Sequence, residues 1–518
     1  MYIINALNRA ARVAPDRVAS VHERRRKTWS QLRDGVARLA DALRRYGVVQ
    51  GDRVAVLGWN SGRFLEAALA VTWAGAVIVP LNTRLAPAEL IQLMTHSGAV
   101  ALLYDDEFAP IMTKASAQVS SLRLLVSLGE GEKPSGVHSY DAIVRDATPV
   151  AAAICRPEDL LGIFYTGGTT GLPKGVMLSH GNLAHQASLH VVDLGWSPET
   201  SYLHVLPMFH LGGYANVHAL TSLAGTHHYM QRFELESCLS ILSERRITAT
   251  ALGPVIIGWL LDYRKLSSFD LTALRHLAYG TAAISEATLR RAVELLPQIE
   301  FTQVYGLSEI SGTMSVLRPQ DHGLGGSNTR LRSAGQASWG VDARVMDPDG
   351  RELPRGELGE IVARSPGVMM GYLDDPEQTA KALKGGWLHS GDLGYMDDQG
   401  YIFIADRAKD MIVTGGENVF SAEVEGAIAS YPGVGQVAVI AIPSDQWGES
   451  VHAVVVPTEG ATIAPEAIIA HCRKRIAGFK CPRSVDIRAE PLPLSGVNKV
   501  QKNVLREPYW RGRARRVN

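Results

Sequence analysis

Leu161-Gly-Ile-Phe-Tyr-Thr-Gly-Gly-Thr-Thr-Gly-Leu-Pro-Lys-Gly-Val-Met-Leu-Ser-His180 sets both the fold class and the chemistry expected of this chain. The apolar run Leu161 to Phe164 predicts a buried strand. A loop follows from Tyr165 to Gly175, carrying Gly167, Gly168, Gly171, Gly175, Thr166, Thr169 and Thr170, and Val176-Met-Leu returns to strand character. Glycines let backbone N–H groups converge on anionic oxygens without interference from Cβ atoms. The threonine hydroxyls add donors, and Lys174 adds a positive charge. Such a loop suits polyphosphate binding. It is not a P-loop, in which Gly-Lys-Ser/Thr opens a helix, because Lys174 stands between Pro173 and Gly175. A solvated surface loop is the competing explanation for the same residues.

Upstream, strand and helix signals alternate. Thr28 and Gln31 have capping-box spacing, and Leu32, Val36, Leu39 and Leu43 follow at helical spacing. Strands are expected at Val54 to Leu57, Val77 to Val79 and Val100 to Tyr104, with helices near Arg63 to Trp73 and Pro87 to Thr95. This alternation implies parallel βαβ units. Residues 108–157 alternate less clearly and read as a connection between two sheets.

Downstream, several short constellations carry chemistry. Leu203 to Tyr214 runs a strand into a turn bearing His210 and Tyr214; a satisfied core histidine is the plainer explanation of His210. Strands are expected at Thr248 to Gly253 and Leu277 to Gly280, the latter ending in Tyr279-Gly-Thr-Ala-Ala-Ile284, where Ser285 can cap a helix. Trp259 and Tyr263 fall on a helix. Phe301-Thr-Gln-Val-Tyr-Gly-Leu-Ser-Glu309 delivers an aromatic face, a turn, a hydroxyl and a carboxylate within five residues, the parts a magnesium nucleotide needs. Residues 335–372 are rich in glycine and β-branched residues and predict a small antiparallel or barrel-like portion. Gly386 to Asp392 places a carboxylate at a tight turn. Beyond Ala422 the pattern is that of a compact α+β unit.

These segments together resemble the AMP-forming acyl-CoA synthetase, luciferase and adenylation-domain superfamily. The glycine loop is similar to its Tyr-Thr-Ser-Gly-Thr-Thr-Gly-x-Pro-Lys-Gly, with Gly167 for the usual Ser. Tyr305-Gly-Leu-Ser-Glu309 resembles Tyr-Gly-x-Thr-Glu, with Ser308 for Thr. Trp387 to Asp392 resembles Trp-x-x-Thr-Gly-Asp. Asp406-Arg-Ala-Lys-Asp410 resembles the Gly-Arg-x-Lys/Asp-Asp element, with Asp406 for Gly. Pro491 to Lys499 resembles the terminal Pro-x-x-x-x-Gly-Lys, with Asn498 for Gly.

The resemblance implies a large N-terminal domain of layered α/β sheets, 1–408, and a smaller hinged α+β domain, 409–518. It also implies a set of roles. Thr166, Gly167, Gly168, Thr169, Thr170, Gly171 and Lys174 hold phosphates. Gly280, Thr281, Ala282, Val304, Tyr305, Gly306, Ser308, Asp392 and Arg407 hold the nucleotide, and Glu309 with Thr166 holds Mg²⁺. Lys499 drives adenylation and Lys409 is the hinge. Gly415, Gly416 and Trp447 meet coenzyme A, although a core tryptophan explains Trp447 equally. His210, Tyr214, Trp259, Tyr279 and Gly280 border the acyl pocket.

A length of 518 residues predicts two or three units. Lys+Arg and Asp+Glu are both 52, which argues against a broad nucleic-acid or anionic-membrane surface. The cysteines, Cys155, Cys238, Cys472 and Cys481, lack metal-ligand spacing and suggest a reducing compartment. No apolar run approaches the ~20 residues of a membrane span. A cytoplasmic enzyme is expected, with a homodimer as the base-rate assembly.

The expected reaction makes acyl-AMP from a carboxylate and Mg-ATP, then acyl-CoA from acyl-AMP and CoA. The acid is read as a medium- or long-chain fatty or other hydrophobic carboxylate. An aryl or arylpropenoate acid (benzoate-, coumarate- or ferulate-like) is the alternative. A carrier-serving adenylation domain, an acyl-AMP ligase and a luciferase-like oxygenase share the motifs. A catalytically silent nucleotide-binding regulator is the rival from another class.

Overall fold

The computed structural model describes residues 3–511 except 167–172, 283, 325–328, 408–409, 459 and 495–499, and omits the side chains of 113–116 and 407. Among the described residues the chain builds four sheets. The first has nine strands, in the order Gln336–Ala337, Ser315–Leu317, Glu300–Tyr305, His276–Gly280, Ala249–Leu252, Ser201–His204, Thr226–Tyr229, Val18–His22 and Arg25–Thr28. Its run from Glu300–Tyr305 to Val18–His22 is parallel throughout. The second has eight, in the order Gly371–Tyr372, Lys174–Ser179, Leu160–Thr166, Val77–Pro80, Arg53–Leu57, Ala101–Tyr104, Leu124–Ser127 and His138–Ser139. Here the run from Leu160–Thr166 to His138–Ser139 is parallel. Val77–Pro80 and Ala101–Tyr104 are buried at every position, as parallel strands covered on both faces must be.

Helices form the layer between these sheets. Gly62–Ala74 is buried at every residue from Phe64 to Ala74, the signature of a helix wrapped by protein on all sides. It shares one apolar cluster with helices Trp29–Arg45, His180–Asp193 and Leu211–Leu223. That cluster reaches Val54, Ile78 and Phe164 of the second sheet and Ala249, Ala251 and Ala278 of the first. Helices Leu235–Glu244, Pro254–Asp262 and Glu286–Leu295 cover the other face of the first sheet. Pro87–Ser97 and Ala109–Gln118 cover the other face of the second. Local signals hold where they were specific. The Thr28–Gln31 capping box forms in both directions, and Ser285 Oγ accepts a hydrogen bond from Thr288 N at 3.1 Å.

Three expectations change. Residues 108–157 do not bridge two sheets: Leu124–Ser127 and His138–Ser139 extend the second sheet in parallel register. The glycine loop is shorter than Tyr165 to Gly175, because Tyr165 pairs with Gly175 and Thr166 with Lys174 in an antiparallel ladder. The antiparallel portion consists of Asp342–Met346, Gly359–Arg364, Leu388–Met396 and Ile402–Arg407. It extends past residue 372, while Gly371–Tyr372 leaves it for the second sheet.

The last sheet pairs Glu417–Val419, Ile412–Thr414, Gly448–Pro457 and Val434–Ser444, with Ser484–Ile487 parallel to Gly448–Pro457. Helices Ser421–Ala429 and Pro465–Arg473 cover one face and Lys502–Trp510 the other, giving the expected α+β unit. Among the described residues no helix is long and apolar enough to cross a membrane. The four cysteines are buried and free.

Candidate active site

In open parallel sheets, ligands bind beyond the carboxyl ends of the strands. Here the carboxyl ends of both sheets meet, and one side chain joins them. Asn60, just after strand Arg53–Leu57, donates from Nδ2 to the carbonyls of His204 and Leu206, both at 3.0 Å. Its Oδ1 accepts from Met208 N at 2.7 Å. The loop from strand Ser201–His204 to His210 is thereby fixed against the second sheet. Asn60 carries no chemistry of its own, and the sequence reading passed it over. A polar residue following a buried strand was the available signal.

Tyr305, Ser308 and Glu309 lie at the end of the neighbouring strand, Glu300–Tyr305. Tyr305 donates its hydroxyl to Asp392 Oδ2 at 2.6 Å. Asp392 is 4 % exposed and pairs in register with Arg407. Glu309 lies in the short turn Ser308–Ile310 after Gly306. A Cβ on Gly306 would come within 2.3 Å of the Gly312 carbonyl, so this turn requires glycine. Glu309 Oε1 accepts from the Tyr372 hydroxyl at 2.8 Å. The Tyr372 ring lies under the Lys174 ammonium, 4.7 Å from its centroid, and Lys174 donates to Gln378 Oε1 at 3.1 Å. Thr166 Oγ1 is 3.5 Å from the Lys174 carbonyl on the paired strand. Thus Thr166, Lys174, Glu309, Tyr305 and Asp392 are gathered from segments far apart in sequence. Tyr372, which joins Glu309 to Lys174, and Gln378, which holds Lys174, carried no motif.

A half-buried carboxylate with Oε2 unbonded among the described residues suits Mg²⁺. That ion takes one or two protein oxygens and completes its shell with water and phosphate. Gly167, Gly168, Thr169, Thr170, Gly171, Lys409 and Lys499 lie outside the described residues, as does the side chain of Arg407.

The surroundings of His210, which the resemblance assigns to the acyl pocket, are built differently. His210 precedes helix Leu211–Leu223, and its Nε2 is buried without a hydrogen-bond partner among the described residues. Burial pushes this imidazole down to about 4, helped by Arg84 nearby, so it is neutral at neutral pH. Thr281 has φ +68°, a strained conformation for a β-branched residue, and its Oγ1 is buried without a partner among the described residues. Two glycines approach it, Gly212 at the start of helix Leu211–Leu223 and Gly253 just after strand Ala249–Leu252: a Cβ on Gly212 would lie 3.9 Å from Thr281 Cγ2, and one on Gly253 4.0 Å from Oγ1. Ala282 and Val304 are half-buried beside it. Gly280 has a different reason for being glycine than ligand approach, since a Cβ there would sit 2.3 Å from the Val304 carbonyl of the paired strand.

The aromatic residues expected to flatten this pocket do not converge. Tyr214 is fully buried in the central cluster, edge-on to Phe164 and His218. Tyr279 points into the opposite cluster, where its hydroxyl donates to His322 Nε2 at 2.9 Å. Trp259 is 41 % exposed and stacks on Phe233; Tyr263 reaches Glu236 near the surface. Neither is core. The same layer holds His180, His190, His204, His218 and His227, all buried. Burial lowers each one: His180 and His190 to about 4, His204 and His218 to about 3, His227 well below its ordinary value.

In the last unit, Gly415 and Gly416 turn the hairpin at φ +62° and +86°. Gly415 N donates to the Trp447 carbonyl at 2.9 Å, and a Cβ on Gly415 would meet the Trp447 ring at 2.8 Å. Trp447 is 37 % exposed, with Arg483 stacked 5.2 Å from its ring centroid. It is therefore a surface group and not a core tryptophan.

A family model for the AMP-binding enzyme matches residues 7–373. The chain belongs to the AMP-binding enzyme family. A second model, for the C-terminal domain of AMP-binding enzymes, matches residues 423–499. This AMP-binding enzyme is 36 % identical to a feruloyl-CoA synthase of Amycolatopsis sp, over 97 % of this chain and 98 % of that protein. It is 34 % identical to the fatty acid–[acyl-carrier-protein] ligase ScoC of Streptomyces coeruleorubidus, over 97 % and 96 %. The crystal structure of ATP-bound MatB from Rhodopseudomonas palustris matches with a TM-score of 0.88 and 31 % identity, over 98 % and 99 % of the two chains. The AMP-binding enzyme is an AMP-forming acid–thiol ligase, of a class whose co-substrates are ATP and CoA.

Proposed function

We propose that this enzyme joins a medium- or long-chain fatty acid, or another hydrophobic carboxylic acid, to coenzyme A in two half-reactions. In the first, a carboxylate oxygen of the acid attacks the α-phosphorus of ATP, and pyrophosphate leaves. In the second, the CoA thiolate attacks the acyl carbonyl, and AMP leaves. One observation carries this function: the Tyr305–Asp392 pair and the Glu309–Tyr372–Lys174 chain both start from the carboxyl end of strand Glu300–Tyr305 and the turn after it.

Tyr305 offers a face to adenine, and Asp392 accepts the ribose hydroxyls, with Arg407 beside it in register. Lys174 and the glycine hairpin hold the outgoing phosphates. Glu309 and Thr166 would hold Mg²⁺, which when bound neutralises phosphate oxygens as charge shifts towards pyrophosphate. Lys499 bridges the carboxylate and the α-phosphate. Gly415, Gly416 and Trp447 receive CoA. The division of labour between 1–408 and 409–518, hinged at Lys409, lets one small domain present these two faces in turn.

The acyl side favours a flexible apolar chain over a flat acid, because Tyr214, Tyr279 and Trp259 spend their rings elsewhere. The feruloyl-CoA synthase likeness keeps an arylpropenoate acid as the second substrate class. The ScoC likeness supports an acyl carrier protein as a second acceptor.

The test is AMP release with ATP and Mg²⁺ across fatty, aryl and arylpropenoate acids, with CoA, with a thiol-bearing carrier protein, and with neither. CoA-dependent AMP release with a fatty acid is expected. Release that needs the carrier protein would replace the acceptor, preference for an aryl acid would replace the substrate class, and no acid-dependent turnover would overturn the function.

A further inference from the structure

Tyr372 occupies an unusual position. Its strand, Gly371–Tyr372, lies antiparallel to Lys174–Ser179, with Tyr372 opposite Val176 and Gly371 opposite Met177. Backbone hydrogen bonds on either side, Met370 N to Met177 O at 2.9 Å and Leu373 N to Gly175 O at 2.8 Å, bind this strand to the glycine hairpin. The next helix, Pro376–Ala382, is capped by Asp375. It brings Gln378 to Lys174 and Thr379 Oγ1 to the Tyr372 backbone N–H at 2.9 Å. On the other side, Met369 N donates to the Glu309 carbonyl at 2.8 Å. The ring is 7 % exposed, and its hydroxyl donates to Glu309 Oε1 at 2.8 Å.

Two opposite charges use different parts of this one side chain. The ammonium of Lys174 rests on the ring face, where a π-system attracts a cation without cancelling its charge. The carboxylate of Glu309 takes a charge-assisted hydrogen bond at the ring edge, which leaves Oε2 available. Among the described residues no ion pair joins Lys174 to Glu309, although both lie against Tyr372. A small aliphatic residue here would remove both the hydroxyl that holds the carboxylate and the surface that holds the ammonium.

We propose that Tyr372 is a positioning residue for magnesium-ATP: its hydroxyl orients Glu309 and its ring holds Lys174, so the two are presented as separate groups and do not collapse into a salt bridge. This rests on the roles given above to Glu309 and Lys174. Hydrogen bonds that orient a metal-binding carboxylate change metal affinity by about 10- to 100-fold when lost.

The experiment compares the wild type with Tyr372→Phe, Tyr372→Leu, Gln378→Ala and Glu309→Gln. It measures Mg²⁺ dependence of acid-dependent pyrophosphate release, KM for the acid, calorimetric affinity for a non-hydrolysable ATP analogue with and without Mg²⁺, and melting temperature. Tyr372→Phe keeps the ring, so it should raise the half-maximal Mg²⁺ concentration about tenfold and weaken the analogue only when Mg²⁺ is present. Acid KM should stay unchanged, because the hydroxyl that is lost orients only the metal-binding carboxylate. Tyr372→Leu should also weaken the metal-free analogue, and Gln378→Ala should do only that. A wild-type Mg²⁺ requirement in Tyr372→Phe overturns the proposal, as does an equal fall in every parameter with a lowered melting temperature, which would mark simple packing. Glu309→Gln separates the two levels. If it raises the Mg²⁺ requirement while Tyr372→Phe does not, only the role of Tyr372 fails; if it leaves the requirement unchanged, the assigned metal role fails and this proposal with it.

Discussion

The two halves of the site solve opposite electrostatic problems. On the proposed nucleotide side, charged and polar groups are tied together across long stretches of chain: Tyr305 to Asp392, Tyr372 to Glu309, Lys174 to Gln378. On the proposed acyl side, His210 Nε2 and Thr281 Oγ1 are buried without partners among the described residues, and burial holds the histidines of the layer between the sheets below their ordinary values. A polyanion needs fixed charge whose position is controlled. An apolar acid needs a dry, neutral wall, and polar atoms left unpaired there are an energetic cost retained for a purpose.

The sharpest break in this contrast is Lys499→Ala. Removing a cation from a step in which two anions meet should slow acyl-AMP formation by about a thousandfold or more, while thioester formation from supplied acyl-AMP persists. Single-turnover assays of each half would show it, and equal loss of both would remove the role of Lys499.

Acidification tests the neutral half. His180, His190, His204, His218 and His227 are held below their ordinary values by burial, so the unfolded chain binds protons more readily than the folded one. Stability is full above the unfolded value of about 6.5 and falls as the pH drops below it. Each histidine contributes up to about 1.4 kcal/mol per pH unit. Denaturant melts between pH 7.5 and 5 should show a steep loss, and a flat profile would mean these histidines are not buried in solution.

A smaller effect is expected from Asp392→Ala. It removes a buried charged acceptor from Tyr305 and, on the proposed role, from ribose, and should raise KM for ATP about 10- to 100-fold while leaving acid preference unchanged. A shift in acid preference would mean the halves are not separable there. Smallest is Thr281→Val, which keeps the shape and drops the unpaired hydroxyl. It should raise stability by about 1 kcal/mol and alter acid selectivity, measured by melting and by kcat/KM across acids. Lowered stability would show that the hydroxyl has a partner.

Legibility in the sequence followed range. Thr28–Gln31 and Ser285–Thr288 act within three residues, and the buried strands announced themselves by composition, so these were readable. Leu124–Ser127 and His138–Ser139 were not, because strands of four and two residues take their identity from a neighbour. The motifs named Glu309, Lys174 and Asp392, but not what holds them: Tyr372 is 63 residues from Glu309, and Gln378 is 204 from Lys174. Local pattern carries no information about such partners. Tyr279 and Tyr214 misled for a related reason, since an aromatic residue beside a pocket motif may face either side of its element, and strand pairing decides which.

Asn60 has a consequence for recombination. Its three hydrogen bonds make the loop 205–210 depend on a residue more than 140 positions earlier. Grafting that loop alone from a relative to change acid preference would import a backbone without its clamp. The transferable module is discontinuous: the segment around Asn60 and the loop it grips move together, or the acyl wall arrives unsupported.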